Sequence, residues 1–441
     1  MRHKSEEIIN KIRDQVLAAV RRIVQLRKLE GFYKDDQESS AKHYFTTLEG
    51  LESILIPSLA LGYSDIASEI TDIIFVLEED LEYILRFNAK RSRRKNQGTP
   101  YFVTGRGAGK EYYWLSECAA FTLSTLINIL QVAQLCPTKA PNFSEHTLNH
   151  AIRRNLKDIL ECQTENGGWS WSKGGKSADA WATWSIVETL SDYLSYSNKP
   201  KLRLPGIKKV KASLDRARSY LSDQLTLADP KALSSRWHRE VFEGGSMRTD
   251  AQVKLGYAFV QTMISASLLG LRKHKDFLCL ASALFQSVDK VMVRRVENSA
   301  RVASKNTNIQ DYSFHSTLLR ALTSLYVQMT PRDRKLLAQK LPRSIEFYVC
   351  QQYNRLSANY IIDGSWHGLW GHHKTYEIYY TERALEALVS LLEFMQTLRQ
   401  HKENWSVDQP KKLTRTNLKD EIRKVKELSS KQLVSLGSEM R

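Results

Sequence analysis

Apolar residues recur at intervals of three and four along most of this chain, and no stretch alternates in the manner of a half-buried strand. The pattern predicts helices of two kinds. One kind is apolar nearly all round and follows polar loops rich in Gly, Trp and Tyr: "KHYFTTLEGLESILI", "EYYWLSECAAFTLSTLINIL", "ADAWATWSIVETLSDYL", "TDAQVKLGYAFVQTMISASLLG", "DYSFHSTLLRALTSLY" and "YYTERALEALVSLLEFM". The other kind keeps a charged stripe, as in "EEIINKIRDQVLAAVRRIVQL", "IKKVKASLDRARSYLSDQL" and "RKLLAQKLPRSIEFYVCQQ". Helices of the first kind belong inside a protein, and striped helices belong outside.

The two kinds take turns. Equivalent points in the apolar set, Tyr44, Tyr113, Trp181, Ala251, Ser313 and Thr381, recur every 62 to 70 residues. Each unit is an outer helix followed by an inner one, and neither buries its own apolar face alone. The pattern therefore predicts an all-α protein: a single (α/α)6 toroid of six helical hairpins over residues 1–404, with inner helices starting near residues 43, 112, 180, 250, 312 and 380. A polar, basic C-terminal tail, 405–441, holds at most one helix, from Thr416. Outer-to-inner connections such as 91–111, 224–249 and 352–379 are long, while several return connections are short. Long loops in compact domains more often carry function. The working mouth is expected where they gather, at the inner-helix N-termini with their partial positive charge and free N–H groups.

Composition adds a compartment and a charge. Five cysteines (118, 136, 162, 279 and 350) form no CxxC pair, which fits reduced thiols in the cytoplasm and neither a disulfide framework nor a zinc site. The first fifteen residues are charged, unlike a secretory signal, and no uncharged run is of membrane-spanning length. The net charge of +17 is partly clustered, at 90–95, at 199–211 and in the tail. Such a surface attracts nucleic acid, acidic membrane or diphosphate groups.

Two loops stand out. "CQTENGGWSW" contains Gln163, Gly167 and Trp169 as Q-x3-G-x-W, and "DGSWHGLWG" places Trp366 in the sixth unit. These segments resemble the QW repeats of squalene and oxidosqualene cyclases and, more broadly, the terpene-cyclase and protein-prenyltransferase superfamily. In that family the Gln caps a neighbouring helix and the Trp stacks on it. The resemblance implies that Gln163, Trp169 and Trp366 tie hairpins together, and that a hydrophobic isoprenoid, free or with a phosphorylated head, occupies the ring. The cyclases protonate their substrate with an Asp of a D-x-D-D segment. No D-x-D-D occurs here, nor does the metal set of the prenyltransferases, so no family catalytic residue or metal ligand is carried over.

The candidate chemistry is instead read from the predicted mouth. Protonating a hydrocarbon needs an acid in a dry pocket. Asp250, Asp179 and Asp311 open inner helices and are the candidate donors, although acids also favour such positions as caps. Arg248, Lys254 and Arg383 are candidates for an anionic head group, and Tyr113, Trp114, Trp181, Tyr312 and Tyr380 for an aromatic lining. No cofactor is expected. Asp35 and Asp36 could hold Mg²⁺ with a diphosphate, and the histidines 367, 372 and 373 lack convergent metal spacing. Three readings stand: a terpene-cyclase-like protein binding or cyclising an isoprenoid; a noncatalytic toroid serving as a binding module in a larger, nucleic-acid-associated complex, with the tail docking a protein partner; and a carbohydrate-active enzyme using paired carboxylates.

Overall fold

A computed structural model describes residues 2–33, 44–90, 115–170, 173–197, 204–228, 251–288, 311–357 and 378–400. The chain divides into two units, Met1–Glu403 and Asn404–Arg441, and the second lies wholly outside the described residues. The first unit is helical, with no strand among the described residues.

The apolar helices are α2 (Tyr44–Leu61), α5 (Leu115–Leu135), α7 (Ala180–Ser197), α9 (Ala251–Leu268), α11 (Asp311–Gln328) and α14 (Ile378–Gln400). Their first residues lie within three positions of the starts expected from the pattern. Each packs against the next in chain order, and α14 packs against α2, so the six close a cycle of neighbours. Their all-round apolar character follows from this, because each has a neighbour on both flanks and a second layer behind it.

The striped helices form that second layer. Among them, α1 (Arg2–Glu30) packs on α2 and α14, α4 (Ile73–Lys90) on α2, α6 (Glu145–Glu161) on α5, and α8 (Ile207–Leu227) on α7 and α9. Helix α10 (Phe277–Val288) meets α13 (Ile345–Ser357) through Phe285 and Tyr348, whose rings lie 6.2 Å apart edge to face. Two predicted outer helices are broken. In the second unit, α3 (Tyr63–Glu69) precedes α4; in the sixth, α12 (Pro331–Lys340) precedes α13. Pro342 explains the second break: it forces Leu341 into extended backbone at φ −98° and ψ 138°.

Where outer helices touch, buried polar ties fix their register. Arg27 of α1 pairs with Asp80 of α4 (Nη2–Oδ1 2.6 Å), both almost fully buried, and Tyr33 donates to Asp80 Oδ2 at 2.8 Å. Gly50 of α2 makes room for the Tyr33 ring, since a Cβ there would stand 2.3 Å from it.

The loop after α6 is a second tie. Gln163 Nε2 donates to the Ser213 carbonyl of α8 and to the Gly167 carbonyl, both at 2.8 Å, while its Oε1 accepts from Ser213 Oγ at 2.8 Å and from Arg216. Trp169 is fully buried, and its indole N–H donates to the Ile159 carbonyl at 3.0 Å, satisfying an acceptor in the last turn of α6. Gly167 sits at φ 96°, where a Cβ would come within 2.5 Å of the Arg216 carbonyl oxygen. Gln163 thus binds the middle of α8, not its end. Trp366 lies outside the described residues.

One segment corrects the expectation about membrane-spanning length. Ser116–Leu135 is long and apolar enough to cross a membrane by length and composition alone, although it contains Glu117. Two thirds of it, 67%, is buried inside the protein, which is what a core helix with neighbours on each side requires.

Candidate functional site

Five of the apolar helices, α2, α5, α7, α11 and α14, line an open chamber of about 420 Å³. Its wall is built by helical spacing. On α7, Trp181, Trp184, Glu188 and Asp192 follow one another at three or four residues; on α14, Glu382, Glu386, Val389 and Glu393 do the same. Glu52 of α2 completes a set of six carboxyl groups, against which the wall carries two guanidiniums, Arg320 and Arg383.

The guanidiniums organise the centre. Arg320 pairs with Glu386 (Nη1–Oε2 3.0 Å) and with Glu188, which comes from the helix across the chamber. Arg383 donates to the same Glu386 oxygen at 2.9 Å, and its Nε stands 3.3 Å from Glu382 Oε2. Both cations also sit over aromatic faces. Arg383 Cζ is 5.3 Å from the Phe121 ring, 5.5 Å from Trp181 and 5.7 Å from Trp184, and Arg320 Cζ is 5.5 Å from Trp184. Trp181 and Trp184 meet edge to face at 5.6 Å, and Trp181 Nε1 donates to Glu117 Oε1 at 2.7 Å.

Burial governs protonation here. Glu52 is pushed up to about 7 by desolvation and by Glu386, against hydrogen bonds from Thr125 (2.7 Å) and Asn128 (2.8 Å). Glu117 is likewise raised to about 7 by burial, opposed by the Trp181 hydrogen bond and Arg383. Glu382, 1% exposed, is held well above the ordinary carboxyl range by desolvation, which Arg383 opposes and Glu386 and Glu52 reinforce. Asp192 is raised to about 7 by the surrounding protein and by Glu188, and burial raises Glu393. The side chains of these last two are exposed, so water moderates their desolvation. Among the described residues, the carboxyl of Glu382, the indole N–H of Trp184 and the amide oxygen of Gln328, all of chamber-lining residues, are buried without a hydrogen-bond partner.

Of the residues proposed from sequence, Trp181 and Arg383 line this chamber. Arg383 is already bound to two carboxyls, so it is no free anion receptor. Asp179 does not line the chamber. Its Oδ1 accepts from the backbone N–H groups of Trp181 (2.9 Å) and Ala182 (3.2 Å), the capping role that acids take at a helix start. Lys254, Asp311, Tyr312 and Tyr380 fall within α9, α11 and α14, but their side chains lie outside the described set. Asp250, Arg248, Tyr113, Trp114, Trp366 and the Asp35–Asp36 pair lie outside the described residues. No cluster of three or more metal-ligating side chains occurs among the described residues.

Sequence reasoning looked for acids at helix starts and so missed the carboxyls within α2, α7 and α14. Their signal was legible: acids spaced at three and four within helices otherwise apolar all round. Comparison with protein-family models, with curated proteins and with solved structures returns no match.

Proposed function

We propose that the chain is a single (α/α)6 toroid, similar in architecture to the terpene-cyclase and prenyltransferase superfamily, whose central chamber binds a small hydroxyl-rich ligand and transfers protons to and from it. The closed order of inner-helix neighbours and the Gln163–Trp169 tie support the architecture. The observation that carries the function is the chamber wall itself. Carboxyls that hold a proton near neutral pH stand beside others engaged by guanidiniums, around a volume suited to a small molecule.

This equipment suits acid–base chemistry at a glycosidic or similar acetal bond. One carboxyl gives its proton to the leaving oxygen while a second carboxylate acts on the opposite side. Glu382 is the acid, and Glu188, paired with Arg320 on the helix across the chamber, is the partner carboxylate. A hydrocarbon fits less well. The wall is mostly polar, and the aromatic faces that would stabilise an isoprenoid cation already hold Arg320 and Arg383. A second reading, the noncatalytic binding module, draws on the same ion pairs, because Glu188–Arg320–Glu386–Arg383 would also serve to brace a ring.

The test is to incubate the purified protein with a panel of oligosaccharides, isoprenoid diphosphates and squalene, and to seek products by mass spectrometry. Cleavage or transfer of a saccharide by the parent and not by folded Glu382→Gln supports the proposal. Cyclised isoprenoid products would return the protein to the cyclase reading, and saccharide binding without turnover would make it a binding module.

A further inference from the structure

The chamber has two chemically different ends. Toward the inner-helix N-termini, Glu382 and Trp184 present an acceptor-rich carboxyl and an N–H donor, each nine-tenths or more buried and lacking a hydrogen-bond partner among the described residues, although Arg383 stands 3.3 Å from one Glu382 oxygen. A hydroxyl group complements both, since it accepts from the indole and donates to the carboxyl. Toward the C-termini, Asp192 and Glu393 line the chamber with exposed carboxyls that make no ion pair among the described residues. Arg320 acts on them only from beyond ion-pair distance, because its two N–H arms are taken by Glu188 and Glu386. The C-terminal half of the wall also carries Asn128, Ser324 and Gln328, groups that hydrogen-bond hydroxyls in either sense.

We propose that the chamber's ligand is an aminated polyol of about two-sugar length, its hydroxyls at Glu382 and Trp184 and its protonated amine between Asp192 and Glu393. Two features fix this class. Asp192 and Glu393 share one end of the chamber with no cationic partner among the described residues, and an ammonium group between them would hold both carboxylates ionised. Trp184 and Asp192 are eight positions apart on α7, a rise of about 12 Å. A single sugar ring is too short to reach both ends. A simple polyamine would reach, but would leave the Glu382–Trp184 end and the amide-lined wall without matched hydroxyls. The inference rests on the acid–base chamber reading above and narrows its substrate class.

Calorimetry at pH 6.5 with four probes tests it: the glucosamine disaccharide, cellobiose as its neutral counterpart, spermidine as an amine without hydroxyls, and geranylgeranyl diphosphate. The glucosamine disaccharide should bind at least tenfold more tightly than cellobiose and than spermidine. The Asp192→Asn/Glu393→Gln variant, altered at exposed positions and checked for unchanged helicity, should lose that preference while still binding cellobiose. Equal affinity for the two disaccharides would overturn the amine assignment and leave the hydroxyl-rich chamber standing. Spermidine binding as tightly as the glucosamine disaccharide would overturn the polyol assignment. Binding of geranylgeranyl diphosphate alone, or of none of the four, would overturn this inference and the proposed function together.

Discussion

Glu52 offers a direct test of whether the chamber wall is as desolvated as its packing implies. The side chain is 2% exposed, and its carboxyl titrates at about 7 instead of the ordinary 4.5. A shift of that size corresponds to roughly 3 kcal/mol between protonation states. Because the folded value is raised, this stability is fully present below about pH 4.5 and is lost as pH rises through about 7. Glu52→Gln removes the titration and keeps the shape. The new amide retains one acceptor for Thr125, but its N–H₂ must face the Asn128 amide, which has to turn over; that mismatch costs about 1 kcal/mol. Parent and variant should therefore be nearly equal at pH 5, with the variant about 2 kcal/mol more stable at pH 8. The carboxyls coupled electrostatically to Glu52, Glu386 and Glu382 from α14, reinforce the sign, since losing the Glu52 charge relieves both. Urea unfolding followed by tryptophan fluorescence at pH 5, 6, 7 and 8 measures the difference. A gap that stays flat across this range would show that Glu52 ionises freely, and would remove the physical basis for a proton-holding chamber.

The two buried ties of the outer layer are open to simpler measurements. Trp169→Ala should cost roughly 3–5 kcal/mol, the usual range for a large buried aromatic, and circular dichroism melts would register it. Asp80→Asn should cost a further independent amount of roughly 3–5 kcal/mol, because among the described residues it leaves Arg27 buried with half-exposed Glu79 as its charged partner. The double variant Arg27→Met/Asp80→Leu should recover most of that loss in the same melt, and equal destabilisation of both variants would mean that packing, not charge, holds α1 to α4.

The helices were legible because their environments are extreme. Leu51, Ile54 and Leu55 of α2 are fully buried, and so are Leu123, Leu126 and Ile129 of α5; a helix with neighbours on all sides leaves few positions free to be polar. The repeat of that pattern at nearly constant spacing then set the order of elements. The Gln163–Trp169 tie was also readable, since a glutamine, a positive-φ glycine and a tryptophan in one short loop have few joint uses. The breaks at 70–72 and 341–344 were harder. Pro342 alone signals the second, and the periodicity on either side runs through both.

The site was misplaced for an energetic reason. Acids at helix starts such as Asp179 attract notice, yet they cost little: the helix end supplies N–H donors and a favourable dipole, and water remains close. An acid in the middle of a buried helix has none of these. Glu52, Glu382 and Glu386 each forfeit hydration that ordinary apolar packing would not ask of them, and the two guanidiniums offset only part of that loss. A leucine at any of these positions would pack without it. Carboxyls retained against such a penalty on facing helices α2 and α14, with Glu188 opposite on α7, are therefore the residues to weigh first for function. The desolvation cost of keeping a charge where it stands separates them from the capping acids better than their distance from a loop does.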